Sequence, residues 1–139
     1  MGESLTFRVR SVVEAIEPAN ADAEAWLGAR GASPDATFLV RLAIEELVTN
    51  CIKYGYDTAG SEHAIDVSLS IADHALTVVV VDDGHEFDPL STVPPDLSLP
   101  LEQRSVGGLG IHLLRELADD VRYERLDGMN RLTLVKRMP

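Results

Sequence analysis

The chain has 139 residues, a length that suits one domain with one hydrophobic core, and 45% of them are hydrophobic, as in ordinary globular proteins. Its net charge of −11 at pH 7 makes nucleic acid and anionic membranes poor partners, because both are negatively charged. The single cysteine, Cys51, excludes an internal disulfide and argues against a thiol-bound metal.

The first residues and the longest apolar run predict neither a signal peptide nor a membrane-spanning segment. Residues 1–4 lack the basic segment that opens a signal peptide. The longest apolar run, residues 75–81, is far too short to cross a bilayer. These features predict a cytoplasmic protein without a membrane partner.

The first half of the chain predicts a strand and two helices. Residues 5–10 alternate apolar and polar side chains, which indicates a half-buried strand. Pro18 suits the first position of a helix that ends near Gly31. A second helix, extending to about Tyr54, is predicted to begin at Ser33-Pro34-Asp35, where Ser33 can cap the first turn.

The second half predicts four strands and one helix. Residues 65–71 and 76–81 indicate two strands joined at Asp73-His74, and the valine-rich second one is typical of a strand buried on both faces. Residues 83–106 predict a long loop, a feature that is more often functional than not. A helix over 110–118 and a hairpin of 121–126 and 131–136 about Asp127-Gly128 complete the chain.

This element order predicts one domain, residues 1–139, with the fold of an α/β (α+β) two-layer sandwich. Consecutive strands joined by short turns favour a mixed, mostly antiparallel sheet with the helices on one face. The order is not the alternating pattern of a doubly wound fold, and the sequence has no Walker phosphate loop.

The helix over residues 34–54 carries a polar group beside apolar residues. Glu46, Asn50 and Lys53 fall on one arc of the helix, because spacings of three and four residues bring side chains together. The same arc holds Leu39 and Ala43, so it predicts the wall of a pocket. On this helix alone, an ordinary set of polar surface residues remains the favoured interpretation.

Two further clusters change that balance. Asp82 ends the valine-rich strand and can accept a hydrogen bond from an amine such as that of adenine, while Gly84 lets a flat ring approach the backbone. Residues 106–111 form a glycine-rich entry to a helix, whose exposed N–H groups can bind phosphate. Each cluster is weak alone, and their order along the chain gives the combination its strength.

In this order the clusters resemble the histidine-kinase-like ATPase family, and within it the small anti-sigma-factor serine/threonine kinases of bacteria. Residues 46–54 match the N-box, Asp82-Asp83-Gly84 the first glycine box and residues 107–119 the second. The resemblance covers nearly the whole chain. It implies ATP and Mg²⁺ as ligands, an anti-sigma-factor antagonist as protein substrate, and a sigma factor or similar regulator as a further partner.

The resemblance also implies residue roles. Glu46 would be the general base, Asn50 would hold Mg²⁺ and Lys53 would lie near the phosphates. Asp82 and Gly84 would bind adenine. Residues 85–107 would form the ATP lid, which includes Arg104 as a candidate γ-phosphate contact. The remaining phosphate-binding residues implied by the second glycine box are Gly108, Leu109 and Gly110.

Some features depart from the family pattern or stay open. Glu86 replaces a frequent glycine, which leaves the path of that loop undetermined, and Asn130-Arg131 replaces a Gly-Thr pair, so Thr133 is an uncertain adenine contact. No phospho-acceptor histidine helix precedes the domain, which argues against a complete sensor kinase. The first strand and helix are a possible homodimer surface. The rival interpretation is a nucleotide-gated binding module without kinase activity, and the filled base position at Glu46 favours the enzyme.

Overall fold

A computed structural model describes residues 3–54, 63–91 and 108–139 of the chain. These ranges hold two short 3₁₀ turns, Val13–Ala15 and Pro89–Ser91, and eight longer elements. The longer elements are β1 (Glu3–Arg10), α1 (Ile16–Ala29), α2 (Pro34–Tyr54), β2 (Ala64–Ala72), β3 (Ala75–Asp82), α3 (Gly108–Leu117), β4 (Asp120–Leu126) and β5 (Met129–Arg137).

The five strands form one sheet in the order β1-β2-β3-β5-β4, and every described pairing is antiparallel. The predicted α+β fold with a mostly antiparallel sheet is therefore confirmed. Because β5 lies between β3 and β4, those two strands run in the same direction. This order places Asp82, at the end of β3, directly opposite Asn130 on β5.

Two-residue turns set the register of both hairpins. Asp73 and His74 have φ of 52° and 60°, and Asp127 and Gly128 have φ of 53° and 75°. Positive φ at both central residues is the turn geometry that matches the twist of paired strands. The predicted turn positions are confirmed, and the second turn fixes where β5 begins beside the end of β3.

The hydrophobic core lies between the helices and one face of the sheet. Buried side chains alternate along β2, β3 and β5, so the helices cover one face of these strands. On α2, Val40, Ile44 and Val48 are buried, and so are Leu39 and Ala43 on its polar arc. Ser33 Oγ accepts a hydrogen bond from Ala36 N at 3.2 Å and caps α2 as predicted.

Three details predicted from the sequence are wrong. β3 is not buried on both faces, because Val79 and Val81 are half-exposed on the face that lacks helices. α1 begins at Ile16 rather than Pro18, because a 3₁₀ turn leads directly into it. α3 begins at Gly108 rather than Gly110. Within the described ranges, no helix is both long and apolar enough to span a bilayer.

Candidate functional site

A cleft opens between α2 and the ends of β3 and β5. It has about 440 Å³ of empty space, part of which is open solvent. Its lining includes Asn50 from the polar arc of α2 and Asp82 from the end of β3. The structure therefore brings together two site residues that the sequence separates by 32 positions (82 − 50).

Asp82 is held by hydrogen bonds from its own loop and from β5. Gly84 N donates to Asp82 Oδ1 at 2.9 Å, and Asn130 Nδ2 donates to the same oxygen at 3.0 Å. The Cys51 thiol on α2 also forms a hydrogen bond with the Asp82 carboxylate. Oδ1 is thus fixed by two N–H donors, and Asp82 lines the cleft, where a carboxylate oxygen can accept a further hydrogen bond from a ligand.

Asn130 joins three parts of the cleft wall. Its Nδ2 also donates to the His85 carbonyl oxygen at 2.7 Å. Its Oδ1 accepts from the Tyr123 hydroxyl at 2.6 Å and from Phe87 N at 3.3 Å. Burial raises the pKa of Tyr123, so its hydroxyl stays protonated and can donate at neutral pH. The sequence comparison treated Asn130 only as a departure from the family pattern, and its role as a centre of hydrogen bonds was missed.

The loop after β3 follows a fixed path despite Glu86 in place of glycine. Besides the bonds from Asn130, Arg125 Nη1 donates to the Gly84 carbonyl oxygen at 2.8 Å. Gly84 is buried, as expected for backbone that lines a binding cleft. Thr133, the uncertain adenine contact, lies on the other face of β5, since buried Leu132 and Leu134 alternate with it.

Cys51 is both a core residue and part of the cleft wall. Burial raises the pKa of its thiol, and the negative charge of nearby Asp82 raises that pKa further. The thiol therefore stays protonated at physiological pH and acts as a small apolar side chain.

Glu46 lies against the first turn of α3. A Cβ atom built on Gly110 would overlap the Glu46 carboxylate, so the carboxylate can occupy this position only because residue 110 is glycine. Gly108 and Leu109 open the same turn of α3, whose N–H groups have no partners within the helix. The structure thus brings the predicted base and the predicted phosphate-binding turn together.

The electrostatic setting of Glu46 differs from that of the adjacent Glu45. Partial burial raises the pKa of Glu46, the charge of Glu45 raises it further, and the charge of exposed Lys53 lowers it. Glu45 instead lies 3.7 Å from Arg41 Nε on the outer surface of α2. Of these neighbouring carboxylates, only Glu46 faces α3.

The described residues fit a magnesium ion that arrives with phosphate groups. Within those residues no group of three or more His, Cys, Asp or Glu side chains is placed to hold a metal. Asn50, with 8% of its surface exposed, offers an amide oxygen in the cleft one helical turn from Glu46. Mg²⁺ is usually bound by few protein oxygens together with substrate phosphates, so one amide ligand suits it.

One predicted contact lies outside the described residues. Arg104 and most of the predicted lid, residues 92–107, belong to this part of the chain. The roles assigned to the other site residues stay predictions, although the structure groups them along one cleft and the adjoining turn of α3.

Comparison with known proteins agrees with this architecture. The chain is 30% identical over 97 residues to the serine/threonine-protein kinase BtrW of Bordetella bronchiseptica, covering 70% of this chain and 68% of that protein. It is 32% identical over 94 residues to the serine-protein kinase RsbW of Bacillus thuringiensis, covering 65% of this chain and 58% of that protein. The chain thus spans about two thirds of the first relative's length and less than two thirds of the second's.

Solved structures show the same fold. The RsbU and RsbW domains of Rv1364c from Mycobacterium tuberculosis match with a TM-score of 0.68 and 22% identity, covering 97% of this chain and 32% of that one. The SiaB–SiaC complex from Pseudomonas aeruginosa matches with a TM-score of 0.57 and 18% identity, covering 95% and 88%. At such identities the likeness establishes the fold alone.

The family assignment rests on a sequence profile. The profile described as "Histidine kinase-like ATPase domain" matches residues 9–136, a span that includes every described part of the cleft. The resemblance predicted from the N-box and the two glycine boxes is therefore confirmed. The chain belongs to the family of histidine kinase-like ATPase domains.

Proposed function

We propose that this protein is a Mg²⁺-ATP-dependent serine/threonine kinase that phosphorylates a small anti-sigma-factor antagonist. Family membership implies ATP as the nucleotide. Relatives named serine/threonine-protein kinase and serine-protein kinase support a hydroxyl group of a protein as the acceptor. A sigma factor or similar regulator is the further partner in this proposal, and the related fold in the SiaB–SiaC complex supports a protein partner.

The placement of Glu46 carries the proposal. A carboxylate with a raised pKa, facing the open first turn of a helix, suits a base that works beside bound phosphate. A module that only binds nucleotide has no need of such a base. Glu46 also shares α2 with Asn50, so one rigid helix sets the base relative to the cleft.

The nucleotide has two ends in this arrangement. Adenine lies at the purine end, formed by Asp82, Gly84, Tyr123 and Asn130, where Asp82 Oδ2 accepts a hydrogen bond from the 6-amino group. The triphosphate lies at the phosphate end, formed by Glu46, Lys53 and Gly110. Lys53 supplies a positive charge there, and Arg104 is a candidate contact of the γ-phosphate.

The chemical step is transfer of the γ-phosphoryl group. Glu46 accepts the proton of the serine or threonine hydroxyl as that oxygen forms a bond to the γ-phosphorus. The bond from the γ-phosphorus to the bridging oxygen breaks, and ADP keeps the electron pair. Asn50 would hold Mg²⁺, which when bound offsets the negative charge of the phosphates.

Phosphoryl transfer tests the proposal. The protein is incubated with γ-labelled ATP, Mg²⁺ and a candidate antagonist or lysate from the same organism. We expect Glu46→Gln to lower transfer at least about a hundredfold while ATP still binds, because the amide keeps the shape but cannot take the proton. Glu45→Gln is the matched control, since its carboxylate pairs with Arg41 on the outer surface.

Each outcome decides between the two functions. Label on one small protein that is lost with Glu46→Gln and kept with Glu45→Gln supports the kinase and identifies its substrate. Equal transfer by the wild type and Glu46→Gln overturns the assignment of the base. Tight binding of Mg²⁺-ATP with no transfer to any protein favours the nucleotide-gated binding module.

A further inference from the structure

Asn130 is the described residue that connects the most parts of the purine end. It lies on β5 opposite Asp82 and is 7% exposed. Its two N–H groups and both acceptor positions of its oxygen are used, by Asp82 and His85 on one side and by Tyr123 and Phe87 on the other. An asparagine amide offers two donors and two acceptor positions, so the side chain is fully satisfied.

The identity of these partners fixes the orientation of the amide. The Asp82 carboxylate and the His85 carbonyl can only accept, so they require Nδ2. The backbone N–H of Phe87 can only donate, so it requires Oδ1. Neither a flipped amide nor an aspartate satisfies all of these groups, and alanine satisfies none.

We propose that Asn130 is a positioning residue for purine recognition, which fixes the Asp82 carboxylate and the start of the following loop so that Asp82 Oδ2 meets the 6-amino group of adenine. This inference rests on the proposed role of Asp82. From β5, Asn130 Nδ2 donates a hydrogen bond to Asp82 Oδ1, and from the loop Gly84 N donates to the same oxygen. Without Asn130, the carboxylate would keep only the bond from Gly84 N in the loop and the bond with the Cys51 thiol on α2, and would lose its contact with β5.

Two residues of β4 contact Asn130 and the loop after β3. Tyr123 on β4 donates to Asn130 Oδ1, and Arg125 on the same strand holds the Gly84 carbonyl oxygen. Removing the Tyr123 hydroxyl leaves the donors of Asn130 in place. Its effect on recognition should therefore have the same direction as loss of Asn130 and be smaller.

The test compares ATP with inosine triphosphate, which differs in carrying an oxo group in place of the 6-amino group. Dissociation constants of both nucleotides with Mg²⁺ are measured by calorimetry. We expect Asn130→Ala to weaken ATP binding about tenfold and to change binding of inosine triphosphate little, so that the preference for ATP falls. Tyr123→Phe should lower the preference less. Thr133→Ala, on the opposite face of β5, should leave it unchanged.

An aspartate at position 130 gives a signature that a purely structural role would not. In Asn130→Asp a second carboxylate faces Asp82, so the preference for ATP should be lost at neutral pH. As the pH falls the pair shares a proton, the O–H can again donate, and the preference should return. Both nucleotides carry the same triphosphate, so the ratio cancels its titration.

Wild type measured over the same pH range is the control for the remaining titratable groups near this position. These groups include Cys51 on α2, residues Asp83, His85, Glu86 and Asp88 after β3, and Tyr123 and Arg125 on β4. All of them are unchanged in Asn130→Asp. A return of the preference that appears in the variant and not in the wild type therefore belongs to position 130.

The outcomes separate this inference from the proposed function. The positioning role is overturned if Asn130→Ala weakens binding of both nucleotides equally. It is also overturned if Asn130→Ala does not fold and both Tyr123→Phe and Asn130→Asp keep the wild-type ratio of the two dissociation constants at every pH. If the wild type itself does not prefer ATP, the contact between Asp82 and the amino group is wrong and the inference fails with it. The transfer assay would still test the kinase assignment independently.

Discussion

The two ends of the cleft are built in different ways. At the purine end, Asp82 and Asn130 are held by hydrogen bonds to one another and to the loop after β3. At the phosphate end, the Glu46 carboxylate is partly buried against Gly110 and Lys53 is exposed. The purine end thus has its polar groups paired within the protein, whereas the phosphate end presents charges.

This difference suits the proposed role of each end. Recognition of a purine edge needs an acceptor whose direction is fixed in advance, and paired hydrogen bonds fix it. Transfer of a phosphoryl group needs charges that respond to phosphate and a base that changes its protonation. Substitutions at the purine end should therefore alter which nucleotide binds, and those at the phosphate end should alter the chemistry.

Gly110→Ala should have the largest effect at the phosphate end. The new methyl group would occupy the position of the Glu46 carboxylate, which is the flexible end of its side chain and can move aside. We expect transfer to fall about a hundredfold, because displacing a catalytic group by about 1 Å has that effect. Stability should be unchanged or slightly higher, since alanine favours a helix over glycine.

Gly28→Ala is the matched control for that substitution. Gly28 also lies within a helix, and a Cβ atom there would have nothing within 4 Å. It should gain the same small stability by thermal unfolding and keep full transfer activity. Full activity in Gly110→Ala would show that the position of Glu46 against α3 does not matter for catalysis.

Asn50→Ala tests the proposed metal ligand, which lies between the purine end and the phosphate end of the cleft. Asn50 lines the cleft near Asp82 and follows Glu46 by one helical turn. We expect it to weaken ATP binding about tenfold in the presence of Mg²⁺ and little in the presence of a chelator, because the substitution removes the proposed metal ligand rather than a proposed purine contact. If both proteins bind ATP equally well with and without Mg²⁺, the metal role of Asn50 is wrong.

Local sequence rules were sufficient for most of the fold and for the residues of the phosphate end. The helical spacing of Glu46, Asn50 and Lys53 predicted a common arc, and the turns at Asp73 and Asp127 followed from short-range preferences. These features depend on neighbours along the chain. The arrangement that brings α3 to Glu46 came only from the family resemblance.

The purine end could be predicted only in part, because its bonds join distant parts of the sequence. Asn130 contacts Asp82 only since β5 pairs with β3, a register that composition does not specify. The long valine run in β3 likewise indicated burial on both faces. β3 is central within the sheet, but helices cover only one side, so Val79 stays half-exposed.

The raised pKa of Glu46 predicts a moderate effect of pH on both activity and stability. Transfer should fall as the pH drops through that pKa, which partial burial holds above the ordinary value of 4.5, and Glu46→Gln should lack this dependence. The pH dependence of transfer and of thermal unfolding, measured for both proteins, tests this.

The effect on stability has the opposite sign. A carboxyl group whose pKa is raised in the folded state stabilises the fold below its ordinary pKa and loses that contribution as the pH rises. At neutral pH Glu46→Gln should therefore melt at a slightly higher temperature than the wild type, and this advantage should shrink toward acid pH. Equal melting temperatures at every pH would contradict the burial of this carboxylate.

Arg41→Ala should have the smallest effect, because it changes the outer surface of the helix that carries Glu46. Arg41 lies 2.9 Å from Glu24 and 3.2 Å from Glu17 on α1, and all of these side chains are at least 40% exposed. Ion pairs this exposed are screened by water and salt and contribute little. We expect a small loss of thermal stability that disappears in high salt, with transfer activity and the preference for ATP unchanged. A large loss of transfer would show that the packing of α1 on α2 controls the phosphate end, and that the division of the site into two ends is incomplete.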